Sequence, residues 1–189
     1  YKVSQPFGSA AQAGFGIGLR IVQAGFMPVV ALGFAVAPVA GQNFGARHPQ
    51  RVIDTFKAAV LMSVGAMLIF GTVCYTVPGP MMRLFSSDPE VIAVGSEYPR
   101  IIAWNFVASG IVYVASSMFQ AMGNTLPSLA TSATRIVVVV IPTLVMARMA
   151  GFELRWIWYL SAGAVAFQMT MSLLLLRREF RRRLNFGAA

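Results

Sequence analysis

Residues Ala58–Val77 read AAVLMSVGAMLIFGTVCYTV, twenty consecutive positions without a charged side chain, closed by Pro78-Gly79-Pro80. At 1.5 Å per residue a helix of that length covers about 30 Å, the thickness of a bilayer's hydrocarbon. Four more stretches share this character: Ile17–Gly41, Pro99–Met122, Leu126–Ala147 and Trp156–Leu176. The first has an uncharged core, Ala24–Ala40, although Pro28, Gly33 and Pro38 interrupt it. Membrane helices tolerate such residues because neighbouring helices re-satisfy the freed backbone groups. Pro142 sits inside the fourth stretch. The fold class expected is all-α, a polytopic membrane bundle with five complete transmembrane helices in one membrane domain over residues 1–189.

Composition points the same way. Of 189 residues, 57% are hydrophobic and 11% charged, against roughly 25% charged in a soluble domain. Too little polar side chain is present to cover a soluble globule. The net charge of +9 raises nucleic acid as a partner, but the basic residues line no helix face. They lie between and after the apolar runs, as topology determinants do, so membrane lipid and not nucleic acid is the expected partner. The lone cysteine, Cys74, lies within an apolar run and reads as a small packing residue.

Lys and Arg in the short links set the orientation. One side receives Phe44–Lys57, Gly123–Ser128 and the basic tail 177–189. It holds eight basic residues: Arg47, Arg51, Lys57 and the tail's Arg177, Arg178, Arg181, Arg182 and Arg183. The other side receives Pro78–Tyr98 and Arg148–Arg155 and holds four, Arg83, Arg100, Arg148 and Arg155. This asymmetry predicts a multi-pass protein of the cell (inner) membrane with a cytoplasmic C-terminus. Asp88, Glu90, Glu97 and Glu153 then face outward, and Tyr98, Trp104, Trp156, Trp158 and Tyr159 stand as interfacial anchors. Ser86-Ser87-Asp88-Pro89-Glu90 is a helix-start signature, so the third helix is expected to begin near Pro89, outside the membrane.

Ala10–Gly18 is apolar but short, either the end of a preceding helix or a turn into the first complete one. Its Gly14-Phe15-Gly16-Ile17-Gly18 is no phosphate loop, since no strand precedes it and no Lys-Ser/Thr follows. Gly14 and Gly18 instead form a GxxxG pair for close helix contact. The chain opens on Tyr1 with no signal-peptide pattern. That leads to the expectation that an N-terminal portion is missing.

No hydrolase triad, HExxH or paired carboxylate lies in the spans, and His48, the one histidine, sits in a basic link. An enzyme is not expected, nor a metal site or cofactor. Polar residues inside spans are more informative, because they are costly in lipid and face bundle interiors or cavities. Asn105, Ser109, Tyr113 and Ser116 share one helix face. They read either as interhelical hydrogen-bonding groups or as a polar stripe on a solute cavity. With Gln23, Met27, Phe34 and Gln168, three of them (Asn105, Ser109 and Tyr113) are the substrate-cavity candidates. Arg135 lies roughly 14 Å into its span, where it either snorkels to the cytoplasmic surface or pairs within the bundle. Pro28 and Pro142 are candidate bending points.

The segment from Arg20 through Pro28 to Gly41-Gln42-Asn43-Phe44-Gly45-Ala46 resembles the helix and loop that recur in each half of MATE (multidrug and toxic compound extrusion) transporters. Phe119-Gln120-Ala121-Met122-Gly123-Asn124-Thr125-Leu126-Pro127 looks like that family's link between its tenth and eleventh helices, and Arg135 with Pro142 like the eleventh. The resemblance implies that the five spans are helices eight to twelve of a twelve-helix, two-lobe transporter. Gly41, Gln42, Asn43, Gly45 and Arg135 would then have structural roles. It also implies secondary active efflux of small cationic or amphipathic compounds, driven by Na⁺ or H⁺ antiport with alternating access between the lobes. Some branches carry a coupling carboxylate in the tenth helix. The matching place here is near Ser109, and that span has no Asp or Glu from Ile101 onward. Coupling is therefore expected in the N-terminal lobe, as in the DinF-like branch. Two other functions are open. A lipid-linked oligosaccharide flippase or polysaccharide exporter would line its cavity with several basic residues, where only Arg20 and Arg135 are eligible. A non-transporting scaffold subunit would have no hydrated cavity.

Overall fold

The computed structural model describes residues 8–146 and 154–185, with side chains described for residues 12–146, 156–157 and 159–185. All of its regular structure is helical: α1 (Gly8–Gly45), α2 (Pro49–Thr76), α3 (Pro78–Arg83), α4 (Pro89–Ala121), α5 (Leu126–Met146) and α6 (Leu154–Arg183). Five of the six, all but α3, are long and apolar enough to cross a membrane. The chain is a multi-pass membrane protein.

All the spanning helices but α5 run further than the apolar stretches. The Ala10–Gly18 segment is neither a separate helix end nor a turn, because α1 is continuous from Gly8. α2 opens at Pro49, where proline's fixed φ and missing N–H suit the first helical position. Pro78 ends the α2 register after Thr76 and then opens the short helix α3. α4 starts at Pro89 as its signature predicts. The Asp88 carboxylate accepts from the Glu90 N–H at 2.9 Å, and the Ser86 hydroxyl accepts from the Asp88 N–H at 3.2 Å. The first seven residues of the basic tail are the last two turns of α6, which ends at Arg183. The link 147–153, with Arg148, and the Trp158 side chain lie outside the described residues.

Two glycines set how closely α1 and α4 approach. A Cβ on Gly14 would lie 2.9 Å from the Gly95 Cα, and one on Gly18 would lie 2.8 Å from the Tyr98 ring. Small residues let backbones touch where lipid supplies no hydrophobic drive for helix association. Gly110 does the same for α2, receiving the buried Ser63 hydroxyl against its Cα.

Packing concentrates at the two ends of the bundle. At the end carrying Arg183, the core holds Val36, Ala40, Val52, Ala59, Ala115, Met118, Phe119 and Leu176. At the other it holds Ile21, Val29, Met67, Cys74, Met82, Tyr98 and Phe106. Tyr98 is therefore no interfacial anchor: it is buried and meets Phe15 edge-on, with ring centroids 4.9 Å apart. Trp104, by contrast, is 76% exposed.

Two turns at the Arg183 end close with the same hydrogen-bond pattern. After α4, Gly123 takes φ 69°, its N–H bonds the Gln120 carbonyl, and the Asn124 N–H bonds the Phe119 carbonyl. After α1, Arg47 takes φ 56°, its N–H bonds Phe44 and the His48 N–H bonds Asn43. Both are Schellman caps. Asn124 also donates to the buried Glu179 carboxylate at 2.8 Å. Arg183 pairs with that carboxylate and donates to the Met122 carbonyl at 2.8 Å. The end of α6 is thereby tied to the α4–α5 turn.

Candidate functional site

α1 packs along α4, and α5 packs along α6, but the backbones of α1 and α5 do not approach each other. Between these two walls lies an open cavity of about 710 Å³. That volume falls within the range of pockets that hold drug-sized molecules, about 300–1,000 Å³.

α1 contributes Gln23, Phe26 and Met27 to it, and α4 contributes Tyr98, Asn105, Phe106, Ser109, Tyr113 and Ser116. From the opposite wall come Ser132 and Arg135 of α5 and Ser161 and Gln168 of α6. All four members of the α4 stripe line the cavity, and the Ser116 hydroxyl also accepts from Ser128 of α5 at 2.9 Å.

Phe34 is the cavity candidate that the structure places elsewhere. It shares a helix face with Gln23 and Met27 but sits one turn past Val30, the last α1 residue on the wall, and is 74% exposed. At its level the Val36–Ala115–Phe119 core closes the bundle. Helical spacing finds the face but not the depth at which the cavity ends.

Several polar groups on the walls have unused bonding capacity. The Gln168 side chain is 4% exposed; its amide N–H reaches Ser132 Oγ at a long 3.4 Å, and its Oε1 has no partner among the described residues. Arg135 is half-buried, and its guanidinium makes no hydrogen bond or ion pair within the described residues. Its side chain stands on the cavity wall. Arg20 is exposed and not part of the lining, so one basic residue among those described faces the space. Among the described lining residues there is no Asp or Glu.

Sequence reasoning names Tyr113 but misses Phe26, Phe106 and Tyr98 in the aromatic part of the lining. Phe26 and Tyr113 meet edge to face, with centroids 5.9 Å apart, and Phe106 and Tyr98 extend that surface. Phe26 stands three residues from Gln23 and Phe106 three from Ser109, a signal available in the spacing. Of the structural candidates, Pro28 and Pro142 lie inside unbroken helices. Gly41, Gln42, Asn43 and Gly45 form the last turn of α1, where the Asn43 amide donates to the Val39 carbonyl at 2.8 Å. No group of three or more His, Cys, Asp or Glu side chains that suits a metal occurs among the described residues.

Known proteins share this architecture. The "FAD transporter" of Shewanella oneidensis is 32% identical over 138 residues, which cover 70% of this chain and 29% of that protein. The "Probable multidrug resistance protein NorM" of Thermotoga maritima is 24% identical over 168 residues, covering 88% of this chain and 36% of that one. The Vibrio cholerae MATE transporter VcmN in its bent form superposes with a TM-score of 0.84 at 23% identity, over 97% of this chain and 42% of that structure. The chain thus spans about a third of the length of these curated relatives. The MatE family model matches residues 2–146. With that match over most of its length and the MATE transporter fold, the chain belongs to the MatE family.

Proposed function

We propose that this chain forms one lobe of a secondary active transporter that exports amphipathic compounds, driven by Na⁺ or H⁺ antiport. The observation that carries this reading is the cavity between the α1–α4 and α5–α6 walls, with aromatic surface and unsatisfied polar groups side by side. Transporters of repeat architecture bind solute near the midplane and rock one repeat against the other, which needs no chemistry on the substrate. The names of the relatives, multidrug resistance proteins and a FAD transporter, support the reading.

The described lining offers no carboxylate for Na⁺ or H⁺, which supports coupling through an acid of the other lobe. The eight basic residues named above belong to links or helix ends that gather at the Arg183 end of the bundle, which supports a cytoplasmic C-terminus. A lipid-linked oligosaccharide flippase is disfavoured by the single basic residue among the described residues of the wall, and a scaffold by the open cavity.

Everted membrane vesicles carrying the full-length gene product test the reading. Ethidium, riboflavin and riboflavin 5′-phosphate are offered under imposed Na⁺ and proton gradients. Accumulation of at least one probe that an ionophore abolishes is the expected result. Equal levels of all three in vesicles with and without the protein would refute it.

A further inference from the structure

Resting on the transport reading, we infer that the cavity selects planar aromatic anions, with Arg135 as the anchor for their carboxylate or phosphate. The resemblance of the chain to multidrug exporters implies cationic substrates; the charges on this wall point the other way. Arg135 is the one formal charge among the described lining residues, and no acid neutralises it there. An unpaired charge at membrane depth is costly and marks a solute path. Guanidinium is also the side chain whose planar fork matches carboxylate and phosphate oxygens two at a time.

The rest of the lining suits an aromatic body on such an anion. Phe26 and Tyr113 stand edge to face, and Phe106 extends the same surface. Across the space, the Gln168 Oε1 is buried and without a hydrogen-bond partner among the described residues. A buried amide oxygen left unpaired is unfavourable, and a ring N–H or O–H on the solute would satisfy it. The recognised class is thus a flat ring system that carries one anionic group for Arg135 and one donor for Gln168.

Binding is measured on the full-length gene product in lipid nanodiscs, by fluorescence titration with riboflavin 5′-phosphate, riboflavin and ethidium. The first two differ only in the phosphate. Riboflavin 5′-phosphate is expected to bind at least about tenfold more tightly than riboflavin, the scale of a hydrogen bond to a charged group, and ethidium most weakly. Arg135→Gln should remove that tenfold preference and leave riboflavin affinity within about twofold, while Arg135→Lys keeps most of it. Ser109→Asp, which adds a carboxylate to the same lining without touching Arg135, should weaken the phosphate compound and strengthen ethidium. The proposal is overturned if ethidium binds most tightly, if phosphate confers no preference, or if Arg135→Gln shifts both flavins equally, as it would were Arg135 paired with an acid of the other lobe. Should Arg135→Gln not fold, the probe order in the parent and in Ser109→Asp decides. Gradient-driven uptake of ethidium with no binding of the anion would sink this inference and leave the transport reading standing.

Discussion

Gly14 and Gly95 meet backbone to backbone where α1 crosses α4, so closely that a Cβ on Gly14 would stand 2.9 Å from the Cα and N of Gly95 and from the Val91 carbonyl oxygen. Every atom it would strike is main chain, and none can rotate away. Gly14→Ala therefore forces the two helices apart. A loss of about 1–3 kcal/mol is expected, the usual cost of overpacking. Gly65→Ala in α2, which meets nothing within 4 Å, should be neutral or stabilising. Thermal unfolding in detergent measures both, and equal melting temperatures for the two variants would contradict the close crossing.

The turn after α1 yields a second prediction. Arg47, not Gly45, occupies the left-handed position of the cap, with φ 56°. Among variants that both remove the arginine charge, Arg47→Gly should be more stable than Arg47→Ala by about 1 kcal/mol, since alanine retains the Cβ that disfavours this conformation. Gly45→Ala should cost little, because nothing lies within 4 Å of its added carbon. Denaturant titration of the three variants gives the comparison.

The tie at the end of α6 is a third. Glu179 is buried, and it accepts from Asn124 and pairs with Arg183. Glu179→Ala leaves the Asn124 amide without its acceptor and Arg183 with only the Met122 carbonyl. A loss of about 1.5–3 kcal/mol is expected, the range for hydrogen bonds to charged groups. Limited proteolysis should then cut the C-terminal turns of α6 faster than in the parent, while an unchanged cleavage rate would contradict a structural role for the tie.

How far the sequence reaches depends on what each feature responds to. The Ala58–Val77 span and the Asp88-Pro89-Glu90 start are local facts, fixed by hydrocarbon thickness and by one cap, and both are legible in the sequence alone. The GxxxG pair at Gly14 and Gly18 announces a close contact but cannot name Gly95 as its partner. Phe34 and Tyr98 fail for a common reason. Periodicity and hydropathy give a residue's face and approximate depth, whereas the edge of the cavity and the burial of a ring depend on neighbours from other helices. Arg135 is visible in the sequence as an anomaly, yet its place on the cavity wall follows from α5 packing on α6 and leaving α1 untouched.

Gly33 gives a prediction at the cavity itself. A Cβ there would run into the Tyr113 ring and come within 2.8 Å of the Ser117 hydroxyl. Gly33→Ala should therefore displace the Tyr113 ring, which is part of the lining and contacts Phe26. Probe affinity should fall several-fold while the helical circular dichroism spectrum is unchanged. Affinity equal to the parent's would show that the ring does not shape the binding surface.

The central claim is that the space between the α1–α4 and α5–α6 walls is the transport path. The most direct measurement is cysteine accessibility at Ser109, on the cavity wall, in the full-length gene product with the buried Cys74 replaced by alanine. Ser109→Cys is treated with a membrane-impermeant maleimide from each face of the membrane in turn, with and without an imposed ion gradient. The account predicts labelling from both faces, in proportions that the gradient shifts, and protection by a transported probe. Labelling from neither face, or from one face regardless of gradient and probe, would contradict it.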